Sequence, residues 1–303
     1  MIVVEHLTKR FGAVAAVDDV SFQVRRGEIF GLLGPDGAGK TTLFRMLAAV
    51  VEPTAGTAGI AGADIRLDPE GVKARVGYMP QTFALYGDLT VLENLRFVAE
   101  VFGVPRKEIG PRLERLLQFS RLEPFTGRRA EHLSGGMKQK LSLAATLLHE
   151  PEVLLLDEPT TGVDPVSRRE FWQILLELNR RGKTVVAATP YMDEAERCHR
   201  VALMHRGRIL SVDPPQTMRA RFPGAVIEVV ASPRREALAA LRRMAGVRQA
   251  TVFGEAVHVV VPADTAAGAI ASALEAAGLR VQRLRRIEPS LEDVFVSLLG
   301  RSA

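Results

Sequence analysis

Short apolar runs, separated by glycine-rich turns and helical stretches, dominate the first two thirds of the chain. Three of these runs predict interior strands, at Glu28 to Leu33, Val153 to Leu156 and Thr184 to Thr189. Runs bounded by glycine, proline or an acid are typical of strands buried on both faces of a parallel sheet. Apolar residues at helical spacing from Phe171 to Asn179 predict an intervening helix. The alternation indicates an α/β domain over residues 1–220.

A different pattern follows the prolines at 214 and 215. The predicted elements are a strand from Ala225 to Val230, a helix from Pro233 to Met244, a hairpin from Val247 to Val261 broken at Gly254, a helix from Ala263 to Ala277 and a strand from Arg280 to Arg285. This β-α-β-β-α-β order predicts a small ferredoxin-like α+β domain over residues 221–303. In the closing SLEDVFVSLLG, Ser290 and Asp293 have the spacing of a capping box at a last helix.

Composition places the chain among ordinary globular proteins. Hydrophobic residues make up 47% and charged residues 25% of 303, values that exclude disordered, collagen-like and coiled-coil classes. No run approaches the roughly 18 to 20 apolar residues of a bilayer-spanning helix. The first residues lack the order of a secretory signal, and the single cysteine, Cys198, rules out an internal disulfide framework. We therefore expect a cytoplasmic chain without a transmembrane segment.

The charge is only mildly basic. Lys and Arg total 40 against 35 Asp and Glu, which gives a net charge of +5. The basic residues are mostly scattered arginine pairs interleaved with acids, a pattern typical of solvated faces. This weak field favours contact with an anionic membrane surface over nucleic acid as a partner.

The sequence GPDGAGKT, from Gly34 to Thr41, fits the pattern G-x-x-x-x-G-K-[ST]. It follows a predicted strand and opens a helix, which is the context that a phosphate-binding loop requires. Glycines let backbone N–H groups surround phosphate oxygens, Lys40 would supply a positive charge to the phosphates, and Thr41 would be a ligand for Mg²⁺. The residues predicted to contact the nucleotide are Gly34, Pro35, Asp36, Gly37, Ala38, Gly39, Lys40, Thr41 and Thr42. A glycine-rich turn without a ligand is the structural alternative.

Two adjacent carboxylates, Asp157 and Glu158, end the predicted strand that begins at Val153. Neighbouring strand residues point in opposite directions, so the two can take different roles. Asp157 suits the coordination sphere of Mg²⁺, and Glu158 suits the general base that polarises an attacking water. The alternative is an acidic strand end that simply leads into a turn at Pro159. The presence of a phosphate loop in the same chain argues against that alternative.

Five motifs in order carry a family resemblance. They are the phosphate loop, Gln81 after a strand, LSGG at residues 133–136, the apolar strand with Asp157 and Glu158, and TGVD at residues 161–164. Together they resemble the ATPase subunit of ABC transporters over about residues 1–220. The resemblance implies an α/β P-loop domain with a RecA-like core, an antiparallel β subdomain and a helical subdomain that carries LSGG. The smaller α+β domain is then an extension of it.

The resemblance also implies several site residues. Phe11 would stack on adenine, with core packing as the alternative, and Gln81 would sense Mg²⁺ and the attacking water. Catalytic roles would fall to Glu158, Gln81 and Lys40, with Thr41, Gln81 and Asp157 around the metal. The LSGG residues Ser134, Gly135 and Gly136 would contact the γ-phosphate held by a second ATPase subunit, and Asp164 would lie at the contact between subunits.

Two positions depart from the family pattern. Met137 stands where a glutamine usually follows LSGG. Pro190 stands where family members generally place a histidine that contacts the γ-phosphate, and proline has no donor. His199 is interpreted as a surface residue of a helix, too far along it to substitute. Hydrolysis would then rely on Glu158 and Gln81, or an unlike partner would supply the better site.

The ending PSLEDVFVSLLG resembles the ATPase subunits of drug, polysaccharide and antibiotic exporters. The resemblance implies a subunit that binds ATP and Mg²⁺, dimerises with itself or with a paralogue, and energises a separate integral membrane permease from its cytoplasmic side. Residues 86–97 would meet that permease. Two alternatives stay open, a soluble ABC-type ATPase without a permease and a small-molecule sensor in residues 225–303.

Overall fold

A computed structural model describes residues 1–299. They form two compact units, Met1–Val212 and a second that begins at Asp213; the division between residues 220 and 221 stays a prediction. The strands of the first unit are β1 (Ile2–Phe11), β2 (Val14–Val24), β3 (Ile29–Leu33), β4 (Ala55–Ile60), β5 (Ala63–Asp64), β6 (Val76–Met79), β7 (Val153–Asp157), β8 (Thr184–Thr189), β9 (Arg200–His205) and β10 (Arg208–Asp213). Its helices are α1 (Lys40–Leu47), α2 (Pro69–Arg75), α3 (Val91–Val101), α4 (Arg106–Ser120), α5 (Gly135–Thr146), α6 (Pro165–Arg180) and α7 (Met192–Ala195).

The central sheet of this unit has the strand order β10-β9-β3-β8-β7-β6. From β9 to β6 all neighbours are parallel. Every residue of β3, β7 and β8 is buried, which is why these strands read as continuous apolar runs in the sequence. The three interior strands predicted from those runs are confirmed.

Helix α6 is longer than its apolar spacing predicted. The carboxylate of Asp164 accepts hydrogen bonds from the backbone N–H groups of Val166 and Ser167, both at 3.0 Å. Pro165 occupies the first helical position, where its missing N–H costs nothing. The first residues of α6 are mostly polar and show no apolar periodicity. The hydrophobic pattern therefore predicts a helix start at Phe171, six residues after the observed start at Pro165.

Two further layers complete the first unit and confirm the expected subdomains. An antiparallel sheet in the order β2-β1-β4-β5 shares a hydrophobic core with α1, in which Phe22 stacks on Phe30 of the central sheet at 5.3 Å. Helices α3, α4 and α5 enclose a separate core around Leu95, Leu117 and Leu141. In the described part of the chain, no helix has both the length and the apolarity to cross a bilayer.

The second unit has the predicted ferredoxin-like topology. Its elements are α8 (Pro215–Ala220), β11 (Ala225–Ser232), α9 (Arg234–Arg243), β12 (Gln249–Phe253), β13 (Ala256–Val261), α10 (Ala267–Ala276), β14 (Arg280–Ile287) and α11 (Leu291–Leu299). The antiparallel sheet has the order β12-β13-β11-β14. Helix α10 begins four residues later than predicted, because the N–H of Thr265 bonds to the carbonyl oxygen of Pro262 in a turn at 3.1 Å.

A buried polar cluster begins the last helix. The carboxylate of Asp293 accepts hydrogen bonds from the backbone N–H of Ser290 at 2.8 Å and from its hydroxyl at 2.6 Å. The N–H of Asp293 donates back to the Ser290 hydroxyl at 3.1 Å, which confirms the predicted capping box. Asp293 also lies 2.9 Å from Nδ1 of His258, whose ring stacks on Phe253. Burial opposes the charge, but the hydrogen bonds from His258 and Ser290 outweigh it and hold the pKa of Asp293 below its ordinary value.

We expect Asp293→Asn to loosen α11. A carboxyl whose pKa is lowered by folding stabilises the fold above its ordinary pKa and loses that effect as the pH falls through the lowered value. The variant should therefore lose about 1–3 kcal/mol of local stability at pH 7, and the difference should shrink below about pH 4. Hydrogen–deuterium exchange of residues 291–299 measures it, with the exposed Glu275→Gln as control. Equal protection in Asp293→Asn and wild type at pH 7 would contradict the prediction.

Candidate nucleotide-binding site

A tight glycine loop joins β3 to α1. Gly37 and Gly39 have φ values of +76° and +105°, which favour glycine. A Cβ atom on Gly39 would also lie 2.2 Å from the carbonyl oxygen of Ala16, so packing excludes a side chain there. Because α1 begins at Lys40, its first unpaired N–H groups face the loop. Loop and helix start together form an anion-binding geometry.

Lys40 is buried at the start of α1, and 4% of it is exposed. Its Nζ donates to the carbonyl oxygens of Gly34 at 2.8 Å and Pro35 at 3.1 Å, so the lysine spans the loop that it ends. The same nitrogen lies 3.0 Å from Oε1 of Glu158. The sequence separates these two charges by more than a hundred residues, and the fold places them in contact.

Glu158 follows the last residue of β7 and is buried, with 5% of it exposed. Its backbone adopts φ of +50°, an uncommon conformation for a residue with a side chain, and its N–H bonds to the carbonyl oxygen of Ala188 at 3.0 Å. The side-chain amide of Gln81 donates to Oε2 at 2.9 Å, and the hydroxyl of Thr161 donates to it at 3.2 Å. The predicted catalytic residues Glu158, Gln81 and Lys40 are thus in mutual contact through one carboxylate.

Asp157 lies on the other side of the strand end and is fully buried. The hydroxyl of Thr41 donates to Oδ1 at 3.2 Å, and the Tyr78 hydroxyl lies 3.5 Å from Oδ2. Burial raises the pKa of Asp157, with the Thr41 hydrogen bond opposing the shift, and burial next to this carboxylate raises the pKa of Tyr78 to about 12. A buried carboxylate beside a threonine hydroxyl is a donor set that suits Mg²⁺, which usually takes its remaining ligands from water and phosphate.

A cavity of about 500 Å³ opens beside the loop. Its lining includes the predicted residues Asp36, Gly37, Ala38, Gly39, Lys40, Thr41, Thr42, Gln81 and Glu158. It also includes five residues that sequence reasoning missed, which are Val14, Ala15, Ala16, Arg206 and Gly207. The three from the start of β2 could have been found from their position after Phe11, whereas nothing local in the sequence marks the other two.

Phe11 ends β1 and pairs with Val14 across a tight turn. Phe11 is 54% exposed, and Nζ of Lys9 lies 5.2 Å from its ring centroid. Phe11 is outside the lining of the cavity, while its partner Val14 is part of it. Stacking of Phe11 on adenine stays a prediction, and its exposure argues against the alternative of core packing.

The residues of the LSGG motif start helix α5 and lie outside the cavity lining. Ser134 is the N-cap, and its hydroxyl accepts from the N–H of Met137 at 3.3 Å. A Cβ atom on Gly136 would lie 2.7 Å from Cβ of Ser167, so glycine lets α5 and α6 approach closely. None of Ser134, Gly135 and Gly136 lines the cavity that contains Lys40.

A buried carboxylate ties together the segments that follow β7 and β8. Glu194, 1% exposed, accepts hydrogen bonds from the hydroxyl of Thr160 and, at 2.6 Å, from that of Thr189. Nε of Arg168 lies 3.8 Å from the same carboxylate, and its guanidinium stacks on the ring of Tyr191 at 4.1 Å. Glu194 thus fixes the chain two residues after Glu158 to the end of the neighbouring strand.

Pro190, at the expected histidine position, lies between Thr189 and Tyr191, and the N–H of Tyr191 bonds to the Thr189 hydroxyl at 3.0 Å. His199 is exposed, as predicted, but the expectation of a helix there is wrong. Helix α7 ends at Ala195, and His199 lies in the bend before β9, where its Nδ1 accepts from the backbone N–H of Ile29 at 2.9 Å. This tether to the central sheet ends the helix early.

A phosphate loop between a buried strand and a helix, facing a carboxylate and a glutamine on neighbouring strand ends, defines a P-loop nucleoside triphosphatase. Comparison with known proteins narrows this class. The family model described as "ABC transporter" matches residues 17–161, and that of the "ATP-binding protein DrrA1-3-like, C-terminal domain" matches residues 214–299.

Among curated relatives, a probable multidrug ABC transporter ATP-binding protein of Escherichia coli, YbhF, is 41% identical over 99% of this chain, which spans 52% of that relative. Nod factor export ATP-binding protein I of Paraburkholderia xenovorans is 39% identical, with 98% of this chain and 96% of the relative covered. The linearmycin resistance ATP-binding protein LnrL of Bacillus subtilis is 34% identical, with 100% and 99% covered. The chain belongs to the ATP-binding subunits of ABC transporters, a family of ATPases.

Solved structures of similar proteins agree with this family assignment. An ATP-binding subunit of an ABC transporter superposes with a TM-score of 0.67 at 32% identity, covering 73% of this chain and 93% of its own. A dimeric ATP-binding cassette, described as a post-hydrolysis state bound to ADP and Pi, superposes with a TM-score of 0.65 at 27% identity, covering 71% and 98%. Both confirm the ABC ATPase fold.

We expect Glu194→Ala to destabilise the first unit by about 2–4 kcal/mol, because two threonine hydroxyls would lose their buried acceptor and Arg168 would lose its ion-pair partner. Urea denaturation followed by Trp172 fluorescence measures the change. The neighbouring exposed Asp193→Ala serves as the matched control and should change stability by less than about 0.5 kcal/mol. Equal midpoints for the two variants would show that the Glu194 contacts contribute nothing beyond those of an exposed carboxylate.

Proposed function

We propose that the chain hydrolyses ATP with Mg²⁺ to drive a permease formed by another polypeptide, and that this assembly exports drugs, lipids or other small molecules. The observation that carries the proposal is the contact of buried Lys40 and exposed Gln81 with the buried Glu158 carboxylate beside the phosphate loop. The names of three relatives, which mention multidrug transport, Nod factor export and linearmycin resistance, support export as the direction of transport.

The contacts suggest a role for each residue. Lys40 and the loop N–H groups bind phosphate oxygens, and Glu158 accepts a proton from the attacking water, which Gln81 helps to orient. Thr41, Gln81 and Asp157 are the residues that would hold Mg²⁺, which when bound offsets the negative charge of the phosphates. Because Glu158 already accepts from Gln81 and Thr161, its carboxylate is held in one orientation before water arrives.

We further propose that two ATPase chains, identical or paralogous, form composite sites head to tail. The LSGG residues Ser134, Gly135 and Gly136 start a helix, which favours anion binding, yet they lie outside the cavity that contains Lys40. A second copy can bring its own α5 start to the phosphates. The dimeric cassette bound to ADP and Pi supports this arrangement.

An exposed apolar surface on the helical subdomain suits the permease. Tyr86 and Phe97 are 52% and 42% exposed and pack edge to face at 5.1 Å. Val101 and Phe102 continue the surface at 65% and 46% exposed. Exposed aromatic clusters of this kind are typical of protein interfaces. Docking here would place the chain peripherally on the cytoplasmic side of the membrane, with no nucleic acid involved.

We expect Glu158→Gln to lower ATP turnover by about 10²- to 10⁴-fold, because a general base contributes that much. Binding of Mg-ATP should persist, since Lys40 and the loop are unchanged. Phosphate release by the chain assembled with its permease measures turnover, and calorimetry measures binding. Lys40→Ala is the comparison, and it should lose binding itself. Unchanged turnover in Glu158→Gln would refute the base assignment.

We expect Phe97→Glu to abolish copurification with a multi-spanning subunit from detergent-solubilised membranes. The substitution would remove the apolar area that Phe97 buries in the contact. It would also place an unpaired carboxylate in an apolar interface. Leu67→Glu is the matched control, because Leu67 is 88% exposed outside the helical subdomain. A Phe97→Glu chain that copurifies as well as Leu67→Glu would rule out this surface as the docking site.

A further inference from the structure

A two-residue loop, Arg206 and Gly207, joins β9 to β10 at the edge of the phosphate-loop cavity. The N–H of Gly207 donates to the carbonyl oxygen of Ala38 in the phosphate loop at 2.9 Å. Its carbonyl oxygen accepts from the N–H of Asp18 at 2.8 Å. A Cβ atom on Gly207 would lie 3.0 Å from the carbonyl oxygen of Ala16. The turn is thus fixed to both the phosphate loop and the start of β2.

Arginine is an unusual residue for the position that Arg206 occupies in this turn. Both residues of the turn have positive φ, +47° for Arg206 and +79° for Gly207. Two-residue hairpin loops of this kind strongly prefer Asn or Gly in the first position, because an ordinary side chain is strained there. Residues held in such conformations cluster at ligand sites. The position therefore points to a use for the arginine side chain beyond the turn.

The charge of Arg206 has no partner among the described residues. It is exposed, and the structure shows no ion pair for it within residues 1–299. Arg208, two residues on, differs because it pairs with Asp18 at 2.7 Å. An arginine kept unpaired on the wall of an anion-binding cavity has donors available for a ligand phosphate.

The contacts of the turn indicate which phosphate it would meet. Its neighbours are Ala16 and Ala38, on the β2 side of the loop, and not Asp157 or Glu158 at the strand ends. The β2 side leads back to Val14 and the exposed ring of Phe11, where the base is expected. We propose that Arg206 binds the phosphate nearest the nucleoside, the α-phosphate, and so adds a nucleotide-binding residue outside the motifs. This inference rests on the proposed function.

The test compares Arg206→Asn with Arg208→Asn in the full chain. Both remove one exposed positive charge, and Asn suits the turn, so Arg206→Asn should fold at least as stably as wild type. Displacement of a fluorescent ATP analogue gives affinities for ATP, ADP, AMP and adenosine. Arg206→Asn should bind AMP, ADP and ATP about three- to tenfold more weakly, the range of a half-exposed charge-assisted hydrogen bond. Adenosine affinity should stay within about twofold of wild type, and so should every affinity of Arg208→Asn.

Several results would overturn the inference. They are unchanged AMP affinity in Arg206→Asn, an equal loss for adenosine, and an equal loss in Arg208→Asn. Lys40→Ala separates this inference from the proposed function. If Lys40→Ala loses ATP while Arg206→Asn does not, only the inference about Arg206 fails. If wild type binds no ATP, or Lys40→Ala binds it equally well, the proposed function itself fails.

Discussion

The register of three buried parallel strands fixes the geometry of the whole site. Strand β8 pairs with β3 on one side, Leu33 opposite Thr189, and with β7 on the other, Asp157 opposite Ala188. Because parallel strands end at the same edge, the phosphate loop after β3, the acids after β7 and the Pro190 turn after β8 emerge side by side. A shift of one residue would turn each buried strand by one face and separate Lys40 from Glu158.

At that edge of the sheet, Lys40 and Glu158 form a buried charge pair. The protein interior tolerates this pair because both side chains make additional hydrogen bonds. Burying two ions costs several kcal/mol each unless geometry and additional hydrogen bonds compensate. Lys40 donates to Gly34 and Pro35 as well as facing Glu158, and Glu158 accepts from Gln81 and Thr161. The positive φ of Glu158 adds backbone strain at the same point. Desolvation and strain concentrated here are what a site built for a charged ligand would show.

Much of this was predictable from the sequence, and the exceptions share a cause. The buried strands, the phosphate loop, the ferredoxin-like order and the cap at Ser290 follow from local patterns, because each depends on neighbouring residues. Arg206 could not be found this way, since it reaches the cavity through a turn about 170 positions from the phosphate loop. The bend at His199 depends on a contact with Ile29, and a helical pattern cannot show such a tether.

Pro190 changes how the site must keep its shape. A histidine at that position would supply a donor to the phosphates from the β8 turn, and proline cannot. In this chain the buried carboxylate of Glu194 holds the turn in place instead, because it accepts hydrogen bonds from the hydroxyls of Thr189 and Thr160. Under the proposed function, Lys40 would then supply the side-chain contact to the γ-phosphate, and Gln81 and Glu158 would act on the attacking water. Lys40 and Gln81 both contact the Glu158 carboxylate, so these three side chains hold one another in place without a histidine at position 190.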